Sequence, residues 1–256
     1  MMKQYKILAI GNSFSEDATY YLHKIAKAAD IDTKVVNLYI GGCPLEKHWA
    51  NIQSGEKLYM RQENGVLSET YVSVQEALAE EDWDSIVTQQ ASHDSGLSET
   101  YYPYCELLYD YLRQQKPDAK LWMQQTWAYE IDSTHDCFPR YNKDQKLMYE
   151  KLCEAYQEAS RKAGVELIPC GDTIQMVRGK KPFIYQDGGM SLCRDGFHMH
   201  YLYGRYLLAA VWYEKVLHKS ILDNPFVPET DYLPGEKADL QALQVIKECV
   251  HQAAAL

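Results

Sequence analysis

What most limits the fold of this chain is an alternation: short apolar runs, several rich in β-branched residues, are each followed by a longer stretch with helical spacing. Residues 6–10, 33–40, 85–88, 120–127 and 165–169 read as strands. Residues 20–29, 45–52, 74–80, 101–115, 145–163, 172–177, 201–217 and 237–255 read as helices. A continuous apolar run suits a strand covered on both faces. Parallel neighbours need a crossover between them, and helices supply it. The expectation is a doubly wound parallel sheet of five strands in one α/β domain over 1–256, a length within the range of one such domain. Residues 55–73 break the rhythm. There Glu63-Asn64-Gly65 lies between two strand-like runs, 57–60 and 70–73, which signals a β-hairpin inserted beside the site, as a lid, a substrate wall or a decoration.

The first strand ends in Gly11-Asn12-Ser13-Phe14-Ser15. That places Ser13 on the C-terminal edge of the sheet, where open α/β folds bind ligands. A hydroxyl there becomes a nucleophile if a base takes its proton and donors hold the oxyanion that follows. Far downstream, Asp195 and His198 are three residues apart, a spacing that brings both side chains to one face of a turn. The carboxylate can then hold one imidazole nitrogen as a donor and leave the other to accept the serine proton. His200 competes as the base, but Phe197 stands three residues before it. Ser15 competes as the nucleophile, though its position suits a helix N-cap better.

These blocks, with Gly41-Gly42 between them, resemble those of the SGNH (GDSL-type) hydrolases, which are esterases and lipases. Within that superfamily the chain looks most like a bacterial branch of uncertain function with a Gly-Asn-Ser-Phe-Ser first block and a Gln-rich third block. The resemblance covers most of the chain and implies a flavodoxin-like three-layer α/β/α fold. It implies Ser13, Asp195 and His198 as the catalytic residues and the amides of Ser13 and Gly42 as oxyanion donors. The superfamily's usual third donor is the Asn of a Gly-x-Asn block, where this chain has Gln89-Gln90. The two project to opposite faces of a strand end, so one can serve. Gln90 is the choice and Gln89 the alternative. Asn12 stands where the superfamily has Asp. The implied function is a serine esterase that hydrolyses a small acyl ester, acetyl above all, on a carbohydrate or other polar small molecule. The alternative is a ligand-binding protein of the same fold that has lost hydrolysis.

Gln89, His93, Gln125 and Trp127 are candidate substrate-binding residues, because amide and aromatic side chains together suit a polyhydroxylated ligand. The formal charge of −10 argues against nucleic acid or an anionic membrane surface as a partner. No run approaches the ~20 apolar residues of a membrane span. The seven cysteines form no Cys-x-x-Cys pair, which argues against a disulfide framework or a zinc site. With the start at Met1 leading straight to the first strand without an apolar leader, a cytoplasmic home is expected. The expected chemistry requires no metal or organic cofactor. A metal reading would draw on His198, His200, Asp195 and His93, which lack an established ligand spacing.

Overall fold

The computed structural model describes residues 4–254. The first three residues, where a leader-free start was read, and Ala255, expected to continue the last helix, lie outside them. The chain order is β1 (Tyr5–Gly11), α1 (Ser13–Thr19), α2 (Leu22–Lys27), β2 (Thr33–Tyr39), α3 (Leu45–Ser54), β3 (Tyr59–Glu63), β4 (Val66–Val72), α4 (Val74–Glu80) and β5 (Ser85–Thr88). There follow α5 (Tyr104–Gln115), β6 (Lys120–Gln124), α6 (Gln145–Ala163), β7 (Glu166–Ile168), α7 (Cys170–Arg178), α8 (Tyr203–Leu217) and α9 (Leu240–Ala254).

One seven-stranded sheet runs β4-β3-β2-β1-β5-β6-β7. Its five parallel strands, β2-β1-β5-β6-β7, are the ones expected, in flavodoxin-like order. β1 lies at the centre and is buried on both faces, with Ile7 to Ile10 at most 1% exposed, which is why its sequence reads as a continuous apolar run. Helices α1, α2, α7, α8 and α9 pack among themselves, as do α3, α4, α5 and α6, giving the layers that flank the sheet. The connection from β1 goes to β2 on one side, and the chain then returns to β5 on the other. The order therefore reverses around β1, and a crevice opens at the C-terminal ends of β1 and β5.

The hairpin signal is borne out, and the hairpin is built into the sheet. β3 pairs antiparallel with β2, so the hairpin extends the sheet at its edge. Asn64 and Gly65 form its turn with φ of 52° and 79°, values that suit these two residues. A Cβ on Gly65 would come within 2.4 Å of the Tyr20 carbonyl oxygen, so glycine is also what lets the turn lie against the α1–α2 junction.

The start of the first helix differs from the expectation. It begins at Ser13, and the N-cap is Asn12, whose side chain accepts from the Phe14 N–H at 3.0 Å. Ser15, the N-cap expected from sequence, lies inside the helix with its hydroxyl donating to Asn37 Oδ1 at 2.6 Å. Asn12 wins because its short carboxamide reaches back to the free N–H groups of the first turn. Capping chemistry also sets both ends of α6. Asp144 accepts from the Lys146 and Leu147 N–H groups at the start of α6, and Gly164 ends that helix with φ of 62°. The strand expected through Trp127 ends at Gln124.

Candidate active site

Ser13, as the first residue of α1, holds its hydroxyl half-buried at the crevice. His198 Nε2 lies 2.9 Å from Ser13 Oγ. His198 Nδ1 lies 2.7 Å from Asp195 Oδ2. The three side chains thus form one hydrogen-bonded series, joined across 185 residues of sequence. The second carboxylate oxygen, Asp195 Oδ1, accepts from the N–H groups of His198 at 2.8 Å and Phe197 at 3.2 Å. Partial burial opposes the Asp195 charge, but the hydrogen bonds from His198 and the two backbone N–H groups outweigh it and hold its pKa below the usual carboxylate range. An Asp-x-x-His turn therefore orients the acid with its own backbone.

Three contacts bring the two distant segments together. Asp17, one turn after Ser13 and fully buried, accepts from Arg194 at 2.9 Å, from Arg205 Nε at 2.7 Å and from the Met199 N–H at 2.9 Å. Trp127 stacks on Phe14 with ring centroids 3.9 Å apart, and its indole N–H donates to the Phe197 carbonyl at 2.8 Å. Gly196 has φ of 87°, and its carbonyl accepts from the Glu130 N–H at 2.7 Å. A Cβ there would lie 2.9 Å from Ser133 Cα, so only glycine fits.

Asn12 gives a physical reason for the departure from Asp at this position. Its Oδ1 accepts from Phe14 N–H and from Gln89 Nε2 at 2.7 Å, while its Nδ2 donates to the Cys43 carbonyl at 3.1 Å. A carboxylate could accept twice but could not donate. The carboxamide thus ties the serine turn to the Gly41–Cys43 turn. In that second turn Gly42 has φ of 61° and is exposed. Neither the Gly42 N–H nor the Ser13 N–H meets an acceptor among the described residues, so both are free to serve a ligand oxygen.

The side chains of Gln90, Gln89, Gln125 and Trp127, expected to face a ligand, meet protein partners in the structure. Gln90 is 1% exposed, and its Nε2 donates to the Thr100 carbonyl and hydroxyl, both at 3.1 Å. Its Oε1 accepts from the Leu45 and Ala91 N–H groups, so no donor remains to aim at an oxyanion. Gln89, its alternative and a proposed substrate contact, is also 1% exposed and lies in a relay: Trp212 donates to Gln124, Gln124 to Gln89, and Gln89 to Asn12. Gln125 clamps the start of α7, accepting from the Asp172 N–H at 2.9 Å and donating to Asp172 Oδ1 at 3.0 Å. Trp127 is fully buried, and its role is the bracing already described. Periodicity does not separate these outcomes, because a polar residue at a strand end is equally suited to facing a ligand or closing a buried network.

His93 is partly exposed, with Nε2 3.5 Å from Asp94 Oδ2. It neighbours His135, a residue that sequence reasoning missed. The His135 ring packs 4.7 Å from Phe197 and 4.6 Å from Tyr129. Its Nδ1 accepts from the Cys137 N–H at 3.1 Å, and burial, then the nearby His93, lowers its pKa. Nothing in the irregular stretch 131–143 marks a histidine as near the site, and only the folded path of that loop brings it there. Asp17, Arg194 and Arg205 were missed for the same reason. His200 turns away to accept from the Leu202 N–H and lies against Tyr203. Among the described residues no group of three or more His, Cys, Asp or Glu side chains could hold a metal ion, and no helix is long and apolar enough to cross a membrane.

The fold is that of the SGNH hydrolases. A putative SGNH hydrolase from Slackia heliotrinireducens shares 23% identity and superposes with a TM-score of 0.58 over 84% of this chain and all of that one. An acetyl xylan esterase, AlAXEase, gives the same TM-score at 12% identity over 82% of this chain and 99% of that one. No match was found among curated proteins. A crystal structure of a DUF4886 family protein from Bacteroides uniformis is 35% identical, with a TM-score of 0.89 over 99% of this chain and 95% of that one. With residues 6–253 matching that family's model, Domain of unknown function (DUF4886), the chain belongs to the DUF4886 family.

Proposed function

We propose that this protein is a serine esterase that removes a small acyl group, acetyl above all, from a hydroxylated small molecule. The observation that carries the reading is the uninterrupted series from Ser13 Oγ through His198 to Asp195. In the first step His198 Nε2 takes the hydroxyl proton as Ser13 Oγ bonds to the ester carbonyl carbon. The free amides of Ser13 and Gly42 receive the oxyanion. Collapse breaks the bond to the alcohol oxygen, which leaves with the proton from His198, and the acyl group stays on Ser13. Water then attacks the acyl-enzyme as His198 takes its proton, and the carboxylic acid departs as Ser13 regains a proton. These steps need only the chain's own groups and water. The acetyl xylan esterases of the same fold add support for a carbohydrate ester as substrate.

A ligand-binding protein without turnover is the second reading. One observation favours it: Gln89 and Gln90 turn their donors inward, so the oxyanion would rest on two amides. Hydrolysis of p-nitrophenyl acetate and labelling by a fluorophosphonate distinguish the two. For the esterase, Ser13→Ala lowers kcat by roughly 10³-fold or more and abolishes labelling. An inert, unlabelled wild type sinks the esterase reading. Equal activity in the two proteins would assign the nucleophile elsewhere.

A further inference from the structure

We propose that Glu16 and Tyr39 form a subsite beside Ser13 that recognises a free hydroxyl on the alcohol part of the substrate, and so selects polyol esters; this rests on the esterase reading. Glu16 follows Ser13 by three residues on α1, so the two side chains share a helix face. Its carboxylate is held in place by a closed circuit of hydrogen bonds. Ser15 donates to Asn37 at 2.6 Å, Asn37 donates to Gln62 Oε1 at 2.7 Å, and Gln62 Nε2 donates to Glu16 Oε1 at 3.0 Å. That circuit joins α1, β2 and β3, so the extra hairpin has a task at the site after all: Gln62 from β3 fixes Glu16.

Tyr39 ends β2 two residues after Asn37, on the same face of the sheet, and pairs with Gly11 at the end of β1. Its hydroxyl lies over the turn that carries the Gly42 amide, since a Cβ on Gly41 would be 3.4 Å from Tyr39 Oη. Glu16 is close enough to Tyr39 to raise its pKa, second to burial. Both side chains are half-buried. Neither Glu16 Oε2 nor Tyr39 Oη meets a partner among the described residues, which leaves an acceptor and a donor-acceptor free on the side of the sheet that α1 covers.

Local charge decides what such a pair would bind. Glu16 and Asp17 supply two negative charges, and Arg194 and Arg205, both close enough to act on Glu16, supply two positive ones. The cluster is balanced, so it offers little net attraction to a cation. A neutral hydroxyl fits: it donates to Glu16 Oε2 and accepts from Tyr39 Oη.

The test compares a monoacetylated methyl pyranoside with cyclohexyl acetate, which lacks ring hydroxyls, on wild type, Glu16→Gln and Tyr39→Phe. Glutamine still accepts from Gln62, so the circuit survives that change. Expected are a wild-type preference for the pyranoside in kcat/KM and a fall of that preference by about tenfold in each variant, carried by KM, the scale of one charge-assisted hydrogen bond. A preference equal in all three proteins overturns the subsite, as does a wild type that hydrolyses both esters alike. A wild type inert to both esters and to fluorophosphonate overturns the esterase reading itself, which is a separate failure.

Discussion

Acidification singles out His48, which lies below the Gly41–Cys43 turn with no exposed surface. Its Nδ1 sits 2.8 Å from the Tyr59 hydroxyl and 3.5 Å from Cys43 Sγ, while its Nε2 is buried without a partner among the described residues. Burial lowers its pKa from 6.5 to about 3. Between those values the unfolded chain binds a proton that the folded chain refuses, so stability rises with pH across this window and falls as acid is added. At pH 5 the unfolded side chain is almost fully protonated and folded His48 is not, a difference of about 2 kcal/mol relative to pH 8. For a chain of this size that corresponds to a fall in Tm of about 4–8 °C. In His48→Gln the carboxamide can still accept from Tyr59 but carries no titrating proton. Urea unfolding of both proteins at pH 8 and pH 5 isolates the effect, since carboxylates common to both cancel. The wild type should lose about 2 kcal/mol more than the variant on going to pH 5. Equal losses would refute the argument and mean that folded His48 accepts its proton as readily as the unfolded one.

Two further substitutions probe how the distant segments are joined. Gly196→Ala puts a side chain at φ of 87° and 2.9 Å from Ser133 Cα, so the turn carrying Asp195 and His198 must shift. Ester hydrolysis should fall by roughly 10²-fold, the scale of a misplaced catalytic group, with stability reduced by about 1–2 kcal/mol; unchanged kcat would show that the turn tolerates the Cβ. Asp17→Asn leaves Arg205, itself 3% exposed, without its counter-charge. Urea unfolding should show a loss of about 3–5 kcal/mol, and a loss below 1 kcal/mol would mean that the arginines find other partners.

The carboxamides after β5 and β6 show why a motif and its role come apart. In a chain that departs from Gly-x-Asn, Gln90 is the nearest residue with a donor of similar chemistry. In the folded protein that amide closes a helix start and a loop, and Gln89 closes a relay ending at Asn12. Asn12 in turn binds the Cys43 carbonyl. The polar residues that looked like lost or altered catalytic groups act as braces for the two turns whose amides remain free.

By itself the sequence determined the parts that local chemistry controls. Apolar runs with β-branched residues marked the five parallel strands, Asn64-Gly65 marked the hairpin, and helical spacing over 145–163 marked α6. The approach of Ser13, Asp195 and His198 was legible too, because a strand end and a compact Asp-x-x-His turn restrict where those side chains can point. Tertiary structure decided the rest. The hairpin became the sheet's edge, Glu16 gained its anchor from Gln62, His135 came to the site on a loop without periodicity, and Asp17 was enclosed between Arg194 and Arg205. The physical reason is the same in each case: a polar side chain takes its role from the partners it meets, and those partners lie far along the chain, where spacing and propensity carry no information.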